Sequence, residues 1–430
     1  MDYNWLGFTG VVMFVLVLMA GVHSSRLPPT IKWLFCVALL LRIVGAFLRY
    51  GVLYYAYDGI GDAVGYYRQG LAYADQFWNF DFSAFTDSSQ WRGGKWWGTQ
   101  FVYFPSGIVL SVIGATMLGE FLMFSLLSFL GLIGFAVAFR RDMPQVPLID
   151  YGRWLFLFPS LWFWPSSVGK DALILMGLGI AIAGYVGDRE RIRWGLLSLG
   201  LFFVLAVRPQ LAAVAVASML VAQWVSTVKE WTPAKIFQSL ALACGGLGVL
   251  WLSLRYLGVS GFDAEGIEAY LEANMGRGIE GGSAIESITP GLSNIPIALI
   301  NILFRPFPWE ARSLTLLAGS LEIWGFWLAV WIWRRNIAQA LRSWHSSRLL
   351  RVAVPFILLY SVLLGMLISN MGIIARQRIF LFPFVFAFLA AVPASRAVAS
   401  IHRRPPLWSG GGPSGWRGER DPMTAGRGLR

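Results

Sequence analysis

A small group of charged residues lies in or beside apolar runs, where a charge is expensive. The group is Lys170, Asp171, Arg208, Arg305, Glu310, Arg312, Arg376 and Arg378. Charges beside membrane spans are usually buried in the bundle, paired, or part of a pathway. Cations outnumber carboxylates here, and Arg208 and Arg305 are each followed by Pro inside a broken apolar run, the kind of break tolerated where it lines a cavity. The planar fork of arginine binds phosphate oxygens bidentately, so the expected partner is a lipid phosphate or diphosphate. Arg140, Arg255 and Arg312 read as snorkelling or ordinary ion pairs. Arg42 and Arg49, seven apart on one helix face, are expected to meet acidic groups within the bundle.

The stretch 58–100 is long, aromatic and polar at once. It begins Asp58, Gly59, Ile60, Gly61, Asp62 and continues through Tyr66, Tyr67 and Arg68 into an amphipathic stretch, then reaches Trp91, Arg92, Lys95, Trp96 and Trp97. A carboxylate on a Gly-flanked turn just past a span is placed to act as general base on a sugar hydroxyl, with Tyr and Trp stacking on sugar faces. The same residues also read as an interfacial helix with an Asp cap and an aromatic belt. There is no Walker loop and no G-x-G-x-x-G after a strand, so nucleotide-driven chemistry has no site, and a donor would be activated by its own lipid phosphate. Cys36 and Cys244 lie in separate apolar blocks, and His23, His345 and His402 complete the inventory of soft ligands. Neither a metal centre nor another cofactor is expected.

These residues must be held by membrane helices. The chain of 430 residues is 57% hydrophobic and only 13% charged, with mean hydropathy +0.60, against about 25% charged in soluble domains. Its apolar blocks, such as 5–22, 172–186 and 236–252, are long, charge-poor and non-alternating, which excludes a soluble fold and a transmembrane β-barrel. The expected class is an all-α, polytopic membrane protein of about 10 to 12 spans. The first block lacks a basic n-region and a small-residue cleavage site and is taken as a span. The formal charge of +12 is explained by cytoplasmic loops rather than by a nucleic-acid partner. The segment 1–400 forms the membrane domain, and 401–430, rich in Gly, Pro and Arg, is an expected disordered cytoplasmic tail.

Charge bias sets the topology. The basic stretch 334–351 faces the cytoplasm. The acidic 258–290 and the segment through Arg312 face outward, with 295–304 re-entrant or surface-lying. Turns at Arg189 to Arg193 and Lys229 to Lys235 are internal, which sends Arg208 and Lys170 outward. Arg26 and Lys32 place the first turn inside and the loop 58–100 outside. A hairpin of 101–118 and 121–139 then leaves Arg140, Arg141 and Asp142 outside, against the positive-inside rule. That breach requires 154–166, with Pro159 and Pro165, to be a half-span returning to the outer face. If 154–166 crosses fully, the loop 58–100 flips to the cytoplasm.

Gly61-Asp62 with Tyr66-Tyr67 after an early span, Pro105 in the next, and the Lys170-Asp171 pair opening another resemble the GT-C class of membrane glycosyltransferases. The run from Phe158 to Asp171, with Asn370, Met371, Gly372, Arg376, Gln377 and Arg378 before a Pro383-containing last span, resembles bacterial repeat-unit polymerases of the Wzy and EpsG type. Ala63 after Asp62 departs from the paired acids of many GT-C enzymes. The resemblance implies glycosyl transfer at the outer face of a bacterial cytoplasmic membrane from a polyprenyl-linked saccharide, in the company of other polysaccharide-assembly proteins. It makes Asp62 the base and Tyr66, Tyr67, Arg68, Lys170, Asp171, Arg208, Arg305, Glu310, Arg376 and Arg378 the substrate-binding set. The rival reading, a flippase or other transporter of lipid-linked sugar, calls for two pseudo-symmetric halves, and the sequence contains no internal repeat. A non-catalytic scaffold would leave the Arg-Pro breaks unexplained.

Overall fold

The structure, a computed structural model, describes residues 5–188, 191–229, 232–258, 292–311, 313–368 and 370–391. The acidic segment 259–291, Arg312 and the basic tail lie outside the described residues. The described chain is helical throughout, with one isolated bridge between Asp188 and Arg191. The helices are α1 (Trp5–Ser24), α2 (Pro29–Gly51, running into a π-turn at Val52–Ala56), α3 (Asp62–Trp78), α4 (Thr99–Ile113), α5 (Met117–Asp142), α6 (Leu148–Leu157), α7 (Pro159–Phe163), α8 (Lys170–Val186) and α9 (Trp194–Val207). They continue as α10 (Pro209–Lys229), α11 (Pro233–Leu257), α12 (Ile295–Phe304), α13 (Leu314–Ile332), α14 (Arg334–Arg342), α15 (Arg348–Leu367), α16 (Met371–Gln377) and α17 (Phe382–Ala390).

Local chemistry starts and stops these helices where the sequence changes character. Thr116, Ser313, Ser347 and Asn370 accept backbone N–H bonds in the first turns of α5, α13, α15 and α16, satisfying donors that hydrocarbon would otherwise strand. Among the described residues, seven helices are long and apolar enough to cross a membrane, or eight if the pair Met371–Phe380 and Phe382–Ala390, bent by 53°, is one broken span. This is a multi-pass membrane protein. The shorter α8, α9 and the broken α6–α7 run between the same two ends of the bundle.

Lipid tails are as apolar as leucine, so helices in a bilayer associate by close packing of small residues. Here α8 is buried along nearly its whole length. A Cβ on Gly179 would lie 1.8 Å from the Gly131 carbonyl of α5, one on Gly134 2.5 Å from the Gly179 carbonyl, and one on Gly177 2.8 Å from the Gly200 carbonyl of α9. Glycines on two faces of α8 thus fix it between α5 and α9, and with it the position of Lys170 and Asp171.

Two contacts define the basic end of the bundle. Asp142, closing α5, accepts from the Ser347 hydroxyl and from the backbone N–H groups of Arg348 and Leu349, each at 3.0 Å. Arg141 pairs with Asp188 at 2.9 Å, and Asp188 also pairs with Arg193. The positive-inside rule assigns this end to the cytoplasm. At the opposite end, Tyr54 after α2 meets Met117 at the start of α5.

The helix α4 corrects the expected topology. Its start is tied to the end of α9 by Gly98 N–H donating to Ala206 O at 2.7 Å, and its end packs against Gly7 near the start of α1. Both places lie at the end opposite the basic loops, so α4 lies across the bundle and does not traverse it. It forms a hairpin with α3: Gly107 packs on Tyr73, Gly70 on Ser106, and Tyr73 stacks on Phe104 at 5.9 Å. The second correction concerns 154–166. Gly152 packs on Leu34, Arg42 donates to Leu161 O at 3.0 Å, Gly45 meets Trp162 and Ser166, and Arg49 reaches Ser167. The segment therefore advances alongside α2 from the basic end to the opposite end, a full traverse broken at Phe158-Pro159. The two corrections cancel. Arg140, Arg141 and Asp142 move to the basic end, the breach of the positive-inside rule disappears, and 58–100 stays on the side of Lys170.

The helix α12 packs beside the outer part of α15, where a Cβ on Gly365 would meet the Ala298 carbonyl at 2.4 Å. Its last turn reaches deeper, because Trp327, well past the midpoint of α13, donates to Leu303 O at 2.7 Å. The chain then reverses through Arg305 and Pro306 and climbs back to Ser313.

Single cysteines at Ser88, Gln145 and Ser346, in a chain lacking Cys36 and Cys244, test this arrangement. An impermeant thiol reagent should label Ser88→Cys in intact spheroplasts, and Gln145→Cys and Ser346→Cys only after lysis. Labelling of the Gln145 position before lysis would contradict a traversing α5 and a non-traversing α4.

Candidate active site

At the end opposite the basic loops, the end of α2, the start of α3, the segment leading into α8 and the start of α16 converge on a cavity of about 470 Å³ whose polar lining includes Arg49, Tyr57, Asp62, Ser167, Asn370 and Arg376. Each element arrives there for a local reason. The last turns of α2 widen into the π-turn, a distortion frequent at functional sites, and Gly59 N–H closes onto Leu53 O at 2.9 Å. Asp58 then takes a left-handed conformation at φ 49°, one that Asp tolerates better than most residues. That reversal lets α3 begin with Asp62, whose exposed carboxylate sits by the positive end of the helix dipole.

Opposite it, the first turn of α8 carries Lys170 and Asp171. Asp171 is 2% exposed and accepts from Nε of Arg376. Its second carboxylate oxygen has no partner among the described residues. Lys170 feels Arg208, Asp62, Arg376 and Asp171, and Arg49 feels Arg376 and Asp171. Four cations thus surround two carboxylates. In a low-dielectric wall that excess is costly, and an anion in the cavity would relieve it. Backbone Gly169 lies against both Arg376 and Tyr66. Burial, and after it the Asp62 carboxylate, push the Tyr66 phenol well above its usual range, so Tyr66 stays neutral behind the cavity.

Arg49, expected only to pair with acidic groups within the bundle, lines the cavity. Its guanidinium lies 5.3 Å from the Phe163 ring centre and 5.2 Å from that of Trp164, makes a long 3.4 Å bond to Ser167 Oγ, and leaves Nε unbonded. Cation–π contact holds it without consuming its fork. Gly45, one turn earlier, makes this possible, since a Cβ there would lie 2.5 Å from Trp162 O. The seven-residue spacing from Arg42 was the visible signal, but among the described residues neither arginine forms an ion pair with a carboxylate, although Asp171 lies within electrostatic reach of Arg49. Arg42 is buried against Ser128 Oγ at 3.2 Å, Leu161 O and the Phe129 ring.

Of the expected residues, Asp62 and Arg376 line the cavity, and Tyr66, Lys170, Asp171 and Arg208 lie behind its wall within electrostatic reach of them or of one another; the others lie elsewhere. Tyr67 is half-buried on α3 and Arg68 is exposed, and neither lines the cavity. Arg305 spends its fork on Glu310, at 2.9 and 2.5 Å, and on Asn301 at 3.2 Å. Arg378 is buried and donates to Arg305 O. Arg305, Glu310 and Arg378 therefore form a separate cluster that ties the re-entrant α12 to the bend between α16 and α17. Trp96 and Trp97 pack on Phe202 and Tyr256, which fixes them to α9 and α11.

Removing one partner of a buried ion pair strands the other and costs about 3–5 kcal/mol; the partial exposure of Arg376 puts Asp171→Ala at the lower end. Thermal unfolding in detergent should show that loss, and the double variant Asp171→Asn, Arg376→Gln should recover much of it. Equal stability of Asp171→Ala and the parent would mean that the pair does not hold α16 to α8. No protein-family model, curated protein or solved structure matches the chain.

Proposed function

We propose that this protein is a membrane glycosyl-transfer enzyme. It takes saccharide from a polyprenyl phosphate or diphosphate at the non-cytoplasmic face of a bacterial cytoplasmic membrane and polymerises or extends a surface polysaccharide. The observation that carries the reading is the adjacency of two unlike spaces. The cation-lined cavity adjoins an apolar groove of about 770 Å³ between α2, α7 and α13. On α2, Leu48 and Val52 line the groove while Arg49 and Leu53 line the cavity, and Trp164 lines both. A ligand that fits both spaces is charged at one end and hydrocarbon at the other.

In this reading the Asp62 carboxylate takes the proton of an acceptor hydroxyl. The hydroxyl oxygen forms the new bond to the anomeric carbon as the bond from that carbon to the phosphate oxygen breaks, and the electron pair leaves with the phosphate. Arg49 and Arg376 stabilise the charge that develops there, with Lys170 behind them. Asp171, already committed to Arg376, positions that guanidinium and does not act as the base.

Asp62→Asn is nearly isosteric but cannot take up a proton at neutral pH, so chain extension of a lipid-linked acceptor should fall by roughly two to four orders of magnitude. Asp58→Asn, outside the cavity, should be near normal. Normal extension by Asp62→Asn, with lipid-linked saccharide accumulating on the cytoplasmic leaflet of a deletion strain, would favour a transporter instead.

Lysine keeps the charge of Arg49 and Arg376 but loses the fork. Arg49→Lys and Arg376→Lys should therefore raise KM for the lipid-linked substrate and lower kcat. Arg305→Lys, whose fork is spent on Glu310, should lower thermal stability and leave KM unchanged. The opposite pattern would move the phosphate site to the re-entrant segment.

A further inference from the structure

A second cavity, of about 620 Å³, opens at the basic end; it shares Trp154, Phe158 and Pro159 with the apolar groove but no residue with the cation-lined cavity. Its polar lining is Asp150 and Arg153 on α6 and Asn336 on α14, and Trp154, Trp333 and Leu389 are among its apolar walls. Trp154 and Trp333 meet edge to face at 5.7 Å, at the level where tryptophans mark a membrane boundary. The helix α14 is too short and too charged to cross a membrane. It therefore lies along this end, with Arg334 and Arg335 exposed between Trp333 and Asn336.

Several charges at the basic end are already committed. Arg141 and Arg193 are paired with Asp188, and Arg351 donates to His345 O. Arg153 and Asp150 face the same cavity, yet their side chains neither pair with one another nor form a hydrogen bond among the described residues. Arg153 presents an open fork, the Asn336 carboxamide adds a donor, and the adjoining arginines make the rim positive. Asp150 offers only acceptors. The complementary ligand carries a phosphate for Arg153 and Asn336 and hydroxyl donors for Asp150. Its net charge is negative, and its hydrocarbon begins at the depth of the tryptophans.

We propose that this cavity is a binding site for the headgroup of an anionic, hydroxyl-bearing glycerophospholipid of the phosphatidylglycerol type in the cytoplasmic leaflet. The phosphate is held by Arg153 and Asn336 and the glycerol hydroxyls donate to Asp150. The acyl chains continue into the bilayer beside α13, whose last turns expose Leu328 and Ile332. Juxtamembrane basic residues attract anionic lipid in general, but a built site differs in depending on one particular guanidinium.

The test is lipid retention by the delipidated full-length chain, read by native mass spectrometry with equimolar phosphatidylglycerol, phosphatidylethanolamine and phosphatidylcholine. The parent should retain phosphatidylglycerol preferentially. Arg153→Gln should weaken it about tenfold, the equivalent of one charge-assisted hydrogen bond, while Lys95→Gln at the opposite end should not. Because Arg153 is exposed, the variant should fold, and an unchanged unfolding temperature in lipid-free detergent would confirm it. Equal retention by the parent and Arg153→Gln would overturn the proposal. So would a preference for phosphatidylethanolamine that Asp150→Asn abolishes, which would make the occupant zwitterionic.

Discussion

The ion pair between Asp171 and Arg376 joins α8, buried along nearly its whole length, to the bent pair α16 and α17, and the candidate site depends on it. Asp171 is fixed because glycine contacts clamp α8 between α5 and α9. Arg376 is fixed because Asn370 starts α16 and the chain then turns through the buried Arg378. Breaking the pair would leave an uncompensated charge at membrane depth, where water cannot repair it. The pair thus converts helix packing into the position of a single guanidinium.

The distribution of the other buried charges explains why the cavity keeps a cationic excess. Glu120 is fully buried but is met by the Ser106 hydroxyl at 2.5 Å, and Glu322 by the N–H and hydroxyl of Ser160 at 2.9 and 2.6 Å. Neither carboxylate draws an arginine into an ion pair. Arg305 is satisfied within its own re-entrant loop. The cations at the mouth of α8 are therefore left facing two carboxylates, one of which is committed. The proposed anion binding rests on that imbalance, and the neighbouring groove would add an apolar requirement to the same ligand.

Much of this was legible in the sequence, for definite reasons. Hydropathy identified the membrane class because long apolar runs carry that information one residue at a time. The clustering of Asp62, Lys170, Asp171, Arg208 and Arg376 on one side followed from charge bias. The course of α4 was not legible. Phe101, Val102 and Phe104 are as apolar as any span, but α3, α5 and α9 cover them, and composition does not distinguish burial by protein from burial by lipid. Taking α4 as a crossing forced a second error at 154–166, where two prolines made a full traverse look like a half-span. Arg305 and Arg376 could not be told apart either, since Glu310 lies five residues from the first and Asp171 lies 205 from the second. Arg49 was expected to meet an acidic group, and its aromatic contacts were not legible because aromatic faces, unlike carboxylates, leave no charge pattern to read.

The central claim is that one amphiphilic phosphate ligand occupies the cavity and the groove together. The most direct measurement is the structure of the protein in a lipid nanodisc with a polyprenyl diphosphate bound. The account predicts phosphate oxygens at about 2.7–2.9 Å from the guanidinium nitrogens of Arg49 and Arg376, with the first isoprene units passing Trp164 into the groove between α2 and α13. Phosphate density at Arg305, or a prenyl chain absent from that groove, would contradict it.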